Sequence, residues 1–393
     1  MTIRLACLIV LLTVLPGPAF AAERETFDFA YLLRDDDPAY AQHRAYTGLS
    51  LRDRQRPLAG ARLGVRDSKA IGRALGFRFG LREETLSEDA SSLARIETLA
   101  AEGIRVFLLD LPLAEVTELA RAVANRDLLL FNIRHPDDTL RGADCAPVLF
   151  HTLPSRAMLM DALAQFLLKK NWRDVLVLEG AGAADKTLST AFQASARKFG
   201  LDVIDVRPFV LSNDPRQRDQ TNLPILTSGV DYDVVFLADS VGEVGRYLPY
   251  NTKDPRPVVG SEGLLPDTWH WTWERYGAPQ LNQRFDKRAG RRMTSEDWAA
   301  WASIKVVVEA ISRTKSGDVP ALRGFLRGDA LTFDTYKGLA GSFRPWDNQL
   351  RQPILLHTHN AVVVRAPLKG FLHQTNTLDS LGVDKSESAC VMP

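Results

Sequence analysis

"IRVFLLDLPLAEVTELARAVANRDLLLFNIRH", residues 104–135, decides the fold class. "IRVFLLDL" is apolar at almost every position after Arg105. That is too continuous for a strand with one wet face, so it reads as a strand buried on both faces. "LAEVTELARAVANRD" carries its apolar residues at helical spacing. "LLLFNIRH" is a second buried strand. Strand, helix and strand of these lengths describe a right-handed βαβ unit, whose two strands lie parallel.

The same alternation extends outward on both sides. Upstream, "FDFAYLL" (27–33) reads as a strand, and Ala61, Leu63, Gly64, Ala70, Ile71 and Leu75 hold helical spacing. "FRFGLREE" (77–84) alternates as a strand does. "SEDASSLARIETLAAEG" reads as a helix capped by Ser87 and stopped at Gly103. Downstream, "VLFHTLP", "DVLVLEG", "LDVIDVRPFV", "YDVVFLAD" and "PRPVVGSEG" read as strands. "RAMLMDALAQFLLKKNW" and "DKTLSTAFQASARKFG" read as helices between them. The series is doubled and has too many strands for one compact sheet. The fold class is therefore α/β, with two Rossmann-like lobes. After residue 267 the rhythm changes to two helices, one starting at the "SEDW" of Ser295, and then to an irregular, strand-rich region. The polar stretch 374–393 predicts a loosely ordered end.

The ends and composition set the compartment. "MTIRLACLIVLLTVLPGPAFAAERE" has one early cation, Arg4, a short apolar run, and small residues at Ala19, Ala21 and Ala22. This is the layout of a cleavable secretory signal over residues 1–21, and the run is too short to span a bilayer. Cys7 precedes most of that run, which argues against a lipid anchor. Cleavage removes one cation and no acid, leaving Lys plus Arg equal to Asp plus Glu. No basic excess remains to drive nucleic-acid or membrane-surface binding. The expected location is a bacterial periplasm. In that oxidising compartment Cys145 and Cys390 can pair, or Cys390 can stay free near the C-terminus.

Enzyme motifs are missing where their chemistry would need them. The loop after the first strand is "RDDDPAYAQ", not a Gly-rich phosphate loop. There is no HExxH, and no serine sits in GxSxG. "HTH" at His357–His359 would place two imidazoles on one face of a strand, which suits a metal or an ordinary exposed strand. Asp35–Asp37 lack the spacing and Gly of a calcium loop, so turn or capping acids are the simpler reading. Neither a catalyst nor a metal is expected.

The order of the pieces resembles the type I periplasmic solute-binding proteins of ABC transporters, the branched-chain amino acid receptor kind. The likeness is carried by "GARLGVRDSKAIGRALGFRFGL", by "FHTLPSRAMLMDALAQFLLKKNWRDVLVLEG", and by "RYGAPQLNQRFDKRAGRRMTSEDWAAWASIKVVVEAI". It implies two lobes joined by a three-crossover hinge, a ligand held between them, and an inner-membrane ABC permease as partner of a monomer. Lobe 1 is then expected over 25–147 plus 268–340, lobe 2 over 148–267 plus 341–373, and a tail over 374–393. Two departures argue against an ordinary amino-acid ligand. The first-strand loop is charged, and the stretch after "FLLDL" reads "LPLAE" where small hydroxyl residues are usual. Within the family the chain looks most like a subgroup associated with PQQ-dependent alcohol oxidation. That implies a ligand tied to quinoprotein metabolism, such as pyrroloquinoline quinone, and a quinoprotein dehydrogenase as a possible partner through cofactor delivery.

The resemblance places ligand contacts at the carboxyl ends of the strands. Arg34, Arg134, His135 and Arg156 fall there, with Ser155 at a helix start, where free N–H groups favour anions. Arginine's fork suits a carboxylate, although each of these arginines also suits a solvated loop or an ion pair. In the second lobe Asp239, Ser240, Ser261 and Glu262 stand at strand ends, and Glu262 could meet an amine or lock the hinge. "DTWHWTWERYG" (267–277) holds three of the seven tryptophans, Trp269, Trp271 and Trp273. It lies at the returning crossover, so these residues either pack the hinge or stack on a planar anionic ligand. Trp298 and Trp301, on the following helix, are expected in the core.

Overall fold

A computed structural model describes residues 24–42, 48–49, 54–212 and 214–392. The expected signal sequence, with its expected cleavage after Ala21 or Ala22, lies outside the described residues. In chain order the first lobe contains β1 (Glu25–Arg34), α1 (Leu58–Asp67), α2 (Lys69–Leu75), β2 (Phe77–Leu86), α3 (Ser92–Ala101), β3 (Val106–Asp110), α4 (Leu113–Ala122), β4 (Leu129–Asn132) and β5 (Leu149–His151). The strands form one parallel sheet, ordered β2-β1-β3-β4-β5. Period-two alternation splits each central strand between two cores. Phe29 and Tyr31 face one core and Ala30 and Leu32 the other, as Val106 and Leu108 do against Phe107 and Leu109. The continuous apolar runs therefore mark burial on both faces.

The second lobe repeats the plan with α5 (Arg156–Lys170), β6 (Asp174–Glu179), α6 (Ala183–Phe199), β7 (Asp202–Pro208), the short α7 (Arg218–Thr221) and α8 (Leu223–Leu226), β8 (Val234–Ala238), β9 (Val258–Gly260) and β10 (Leu265–Asp267). Its parallel sheet runs β7-β6-β8-β9. The chain returns to the first lobe as α9 (Ala278–Ala289), α10 (Ser295–Thr314), α11 (Val319–Arg327), β11 (Phe333–Asp334), β12 (Ala340–Phe343) and β13 (Leu350–Arg351). It crosses again to β14 (Ile354–Thr358) and β15 (Ala361–Ala366). β10, β14 and β15 make an antiparallel wall between the lobes. Leu355 of β14 enters the first core, while Ile354 and Leu356 enter the second.

Four expectations are corrected. Leu149–His151 pairs with β4, so the first lobe runs past residue 147 to the crossover at 152–155. Phe343 and Leu350 sit in the first core, which extends that lobe's return past 340 to about 351. The cap of α3 is Ser91, whose hydroxyl accepts from Ala94 N at 3.2 Å; Ser87 lies a turn earlier. The tail is anchored rather than loose. Leu378, Asp379 and Leu381 are buried, Asp379 accepts from Arg344 and Arg351 at 2.8 and 2.9 Å, and Cys390 is bonded to Cys145, with Cα atoms 5.7 Å apart. One buried acid between two arginines outweighs a polar composition.

The helix α10 fills the first core because it is apolar almost all round, with Trp298 and Trp301 buried. Thr294 and Asp297 close its N-terminus as a reciprocal capping box. α1 meets this turn closely: a Cβ on Gly60 would stand 2.0 Å from the Asp297 carbonyl oxygen. Gly60→Ala should therefore destabilise the disulfide-intact protein by about 1–3 kcal/mol. Equilibrium urea unfolding followed by circular dichroism measures this, and an unchanged midpoint would mean that the two helices do not meet this closely.

Candidate functional site

A cavity of about 390 Å³ lies where the crossovers meet the carboxyl ends of the first sheet. Arg134, His135 and Asp137 reach it from the loop after β4. Leu153 and Pro154 come from the first crossover, and Arg156 and Leu159 from α5. Asp267 and Thr268 come from the second crossover, and Thr294, Ser295 and Glu296 from the start of α10. Tyr40 and Arg54 close the first-lobe side.

The crossovers are irregular backbone buried between lobes, so their polar groups need side-chain partners. Lys337, fully buried, supplies them. Its Nζ donates to the Thr268 carbonyl at 3.0 Å, the Thr268 hydroxyl at 3.1 Å and Gln352 Oε1 at 2.8 Å. It also lies 3.9 Å from the centroid of the Trp298 ring. Gln352 Nε2 in turn donates to the Thr152 carbonyl at 2.7 Å. Thr152, Thr268 and Gln352 belong one to each crossover, so a single network ties all three. Burial pulls the Lys337 pKa down. Three oxygen acceptors and a π face receive its protons, of which an ammonium has three to place.

The front of the first lobe is organised by Asp110, buried at the end of β3. It accepts from Tyr31 Oη at 2.8 Å, Tyr40 Oη at 2.5 Å, Arg56 at 3.1 Å and Arg134 at 3.3 Å. Arg134 also forks onto Asp37, with one bond at 3.2 Å. Burial, followed by the Asp110 charge, pushes the Tyr40 hydroxyl upward, so it stays a donor. His135 is held neutral by burial and donates Nε2–H to the Leu111 carbonyl at 2.7 Å. Arg156 is less committed: its two contacts to Asp137 Oδ1 are both 3.3 Å. On the hinge side, burial and the neighbouring Asp267 carboxylate raise the Glu296 pKa.

The structure thus brings Arg134, His135 and Arg156 to one cavity and sends the other expected site residues elsewhere. Ser155 caps α5, accepting from Met158 N at 3.2 Å. The Arg156 and Ala157 N–H groups are spent on Pro136 O and Asp138 Oδ1, so this helix start offers no free first-turn donors to an anion. Arg34 points away, pairing with Glu115 at 2.7 Å and with the carbonyls of Ser87, Glu88 and Ala90. Asp239 folds its own loop, accepting from Gly242 N and Gly245 N, both at 2.8 Å. Ser240 and Glu262 stand at the strand ends of the second lobe, outside the cavity: Ser240 N donates to Asp185, and Glu262 lies against Gly245.

The tryptophan run forms neither strand nor helix but a turn, closed by Trp273 N donating to His270 O at 3.0 Å. Trp269 is buried, stacks on Trp298 and donates to Asn282. Trp273 is buried and donates to the Tyr336 carbonyl. Trp271 is half-buried, with the Arg292 guanidinium 3.4 Å from its ring centroid. The ligand-stacking reading of Trp269 and Trp273 gives way to hinge packing, because each ring is enclosed in the first core. Sequence reading missed Tyr40, Asp110, Asp267 and Glu296. The signal for the first two was present: Tyr40 lies within the "RDDDPAYAQ" loop and Asp110 ends a buried strand.

"HTH" splits: His357 is buried and bonded to Asp267 at 3.1 Å, while His359 is exposed in the following turn. No group of three metal-ligating side chains is found among the described residues. His357 stacks on His270, with ring centroids 4.0 Å apart. Burial and then His357 push the His270 pKa down to about 4. Burial pulls hardest on His357, but its bond to Asp267, the charge of that carboxylate and the Thr358 carbonyl together outweigh it and leave the pKa raised above 6.5. The raised His357 contributes stability below about pH 6.5 that is lost as pH climbs through its folded pKa. The depressed His270 contributes stability above about pH 6.5 that is lost as pH falls toward 4. The pair should therefore favour stability near neutrality and weaken it on the acid side through His270. In a pH series of thermal midpoints, His270→Phe should lose less than the parent protein between pH 6.5 and 4. Equal losses would remove His270 as the cause.

No protein-family model matches the chain, and no curated protein matches it in sequence. Solved structures do match in fold. A branched chain amino acid ABC transporter periplasmic ligand-binding protein from Burkholderia xenovorans LB400 superposes with a TM-score of 0.68 at 15% identity, over 86% of this chain and 95% of that one. An amino acid ABC transporter substrate-binding protein from Pseudomonas fluorescens Pf-5 gives 0.65 at 16% identity, over 94% and 99%. An ABC transporter solute-binding protein from R. palustris, in complex with benzoate, gives 0.61 at 12% identity, over 93% and 100%. Two parallel sheets, three crossovers and coverage of nearly the whole of each neighbour identify the fold of this chain as that of the type I periplasmic binding proteins.

Proposed function

We propose that the chain is a periplasmic receptor that closes two lobes over a small carboxylate and presents it to an ABC permease. The observation that carries this reading is the hinge cavity, which the weakly paired Arg156 lines together with the hydroxyl of Ser295 and the carboxyl groups of Asp267 and Glu296. An arginine at 3.3 Å from its acid can exchange that contact for a ligand carboxylate. Those hydroxyl and carboxyl groups suit an ammonium or hydroxyl. Closure would be a hinge motion driven by contacts that exist only when both lobes touch the ligand. The cavity binds and releases, and changes no covalent bond.

The cavity volume is at the small end of ligand pockets, which favours an amino acid or a single-ring aromatic acid. The solved relatives crystallised with leucine, isoleucine or benzoate support that size. Pyrroloquinoline quinone is the finer reading. Its carboxylates suit Arg54 and Arg156, whereas Arg134 is already held by Asp37 and Asp110, and the tryptophans do not line the site. Delivery of that cofactor to a quinoprotein dehydrogenase depends on the same binding.

Calorimetric titration of the refolded mature protein with leucine, benzoate and pyrroloquinoline quinone, each separately, tests the reading. Refolding strips any ligand carried through purification. One of the three carboxylates is expected to bind saturably, and Arg156→Ala should weaken it roughly ten- to hundredfold. Binding unaffected by that substitution would place the ligand elsewhere. Binding of the quinone alone would select the finer reading.

A further inference from the structure

A second hollow, of about 560 Å³, lies on the first lobe between α1 and α9, beside Leu81 of the edge strand β2. Its floor is apolar: Ala59, Leu81 and Ala289 are half-buried there, over the enclosed Leu63 and Phe285. Its rim is cationic: Arg62, Arg66 and Lys69 run along one side, and Arg288 and Arg291 along the other. The first three are spaced four and three residues apart, so they share a face of α1 and its continuation. Arg62 is paired with Glu83 and Arg291 with Asp297. Arg66, Lys69 and Arg288 are exposed, and none is paired with a carboxylate among the described residues.

The chain as a whole carries a formal charge of only +1, so this groove is a local imbalance rather than a general basicity. Like charges around a recess repel one another, and an acidic partner relieves that repulsion while steering its own approach. A small anion would satisfy the rim and leave the floor wet. A flat anionic membrane would touch the rim but not the recessed floor. An amphipathic helix satisfies both, because its apolar face can seat on Leu81, Ala59 and Ala289 while acids on its flanks meet the cations.

We propose that the α1–α9 groove docks an acidic amphipathic segment of a partner protein. The inference is independent of what the cleft binds. The test uses the mature full-length protein and a labelled synthetic peptide with leucines on one helical face and glutamates on its flanks. Binding is followed by fluorescence anisotropy. The expected result is saturable binding that weakens with added salt, falls about tenfold or more in the R66E/R288E variant, and persists in Arg156→Ala. Both exposed arginines lie outside the core, and an unchanged thermal midpoint in the variant shows that it folds. Equal binding of a peptide with lysine in place of glutamate would overturn the proposal, as would no loss in R66E/R288E. Capture by phosphatidylglycerol vesicles that the peptide fails to displace would overturn it in favour of a membrane surface.

Discussion

The buried ammonium of Lys337 is the constraint on which the two-lobed arrangement rests. Three chain segments cross between the lobes, and each leaves carbonyls in a place that water does not reach. A side chain with three donors on a long stem can reach two of those segments at once, and Gln352 passes the connection to the third. Desolvating a lone ammonium is costly, so the position is tolerable only with every proton placed. Supporting polar groups extend the network outward. Thr152 meets Ser303 of α10 at 2.9 Å. Gln349 bonds the carbonyls of His151 and Leu153, and Arg141 reaches Leu153 as well. The hinge is thus a polar layer between apolar cores.

The same economy explains the front of the first lobe. Asp110 could be a ligand's partner, but four donors from its own chain already occupy it. Arg134 is held by two carboxylates. The charged loop after β1 is therefore largely self-neutralised, and what remains for a ligand is the looser chemistry at the hinge end. Loop charge alone is a poor guide to a binding site, because an ion pair inside the wall and an ion pair with a guest use the same residues.

Much of the fold was legible in the sequence because it follows from local periodicity. "VFLLD" and "LLFN" alternate between two cores, and "AMLMDALAQFLLKK" is helical by spacing and length. The boundary errors arose where pairing is long-range. β5 has three residues, and nothing within them shows that they lie beside β4; β13 is shorter still. The tryptophan run misled for a related reason. Three large rings at alternate positions invite a strand or a helix, but a turn at His270–Trp273 sends two of them into the core and leaves the third under Arg292. The arginines of the cleft were recognisable as cations at strand ends. The commitment of Arg134 to Asp37 and Asp110 depends on contacts over 97 and 24 residues of sequence separation, which no window can see.

The disulfide has a mechanical consequence. Near residue 382 the chain is fastened to the second lobe, where Gly382 N bonds to Asp161 of α5 and Lys198 of α6 bonds to the Gly382 carbonyl. At Cys390 it is welded to Cys145, in the loop between β4 and β5 of the first lobe. The short run between them reaches at most roughly 28 Å when fully extended. Lobes that share three covalent bridges at the hinge are therefore leashed by a fourth at the periphery. A leash resists only when taut: it would leave small rotations free and set an outer limit to any separation of the lobes.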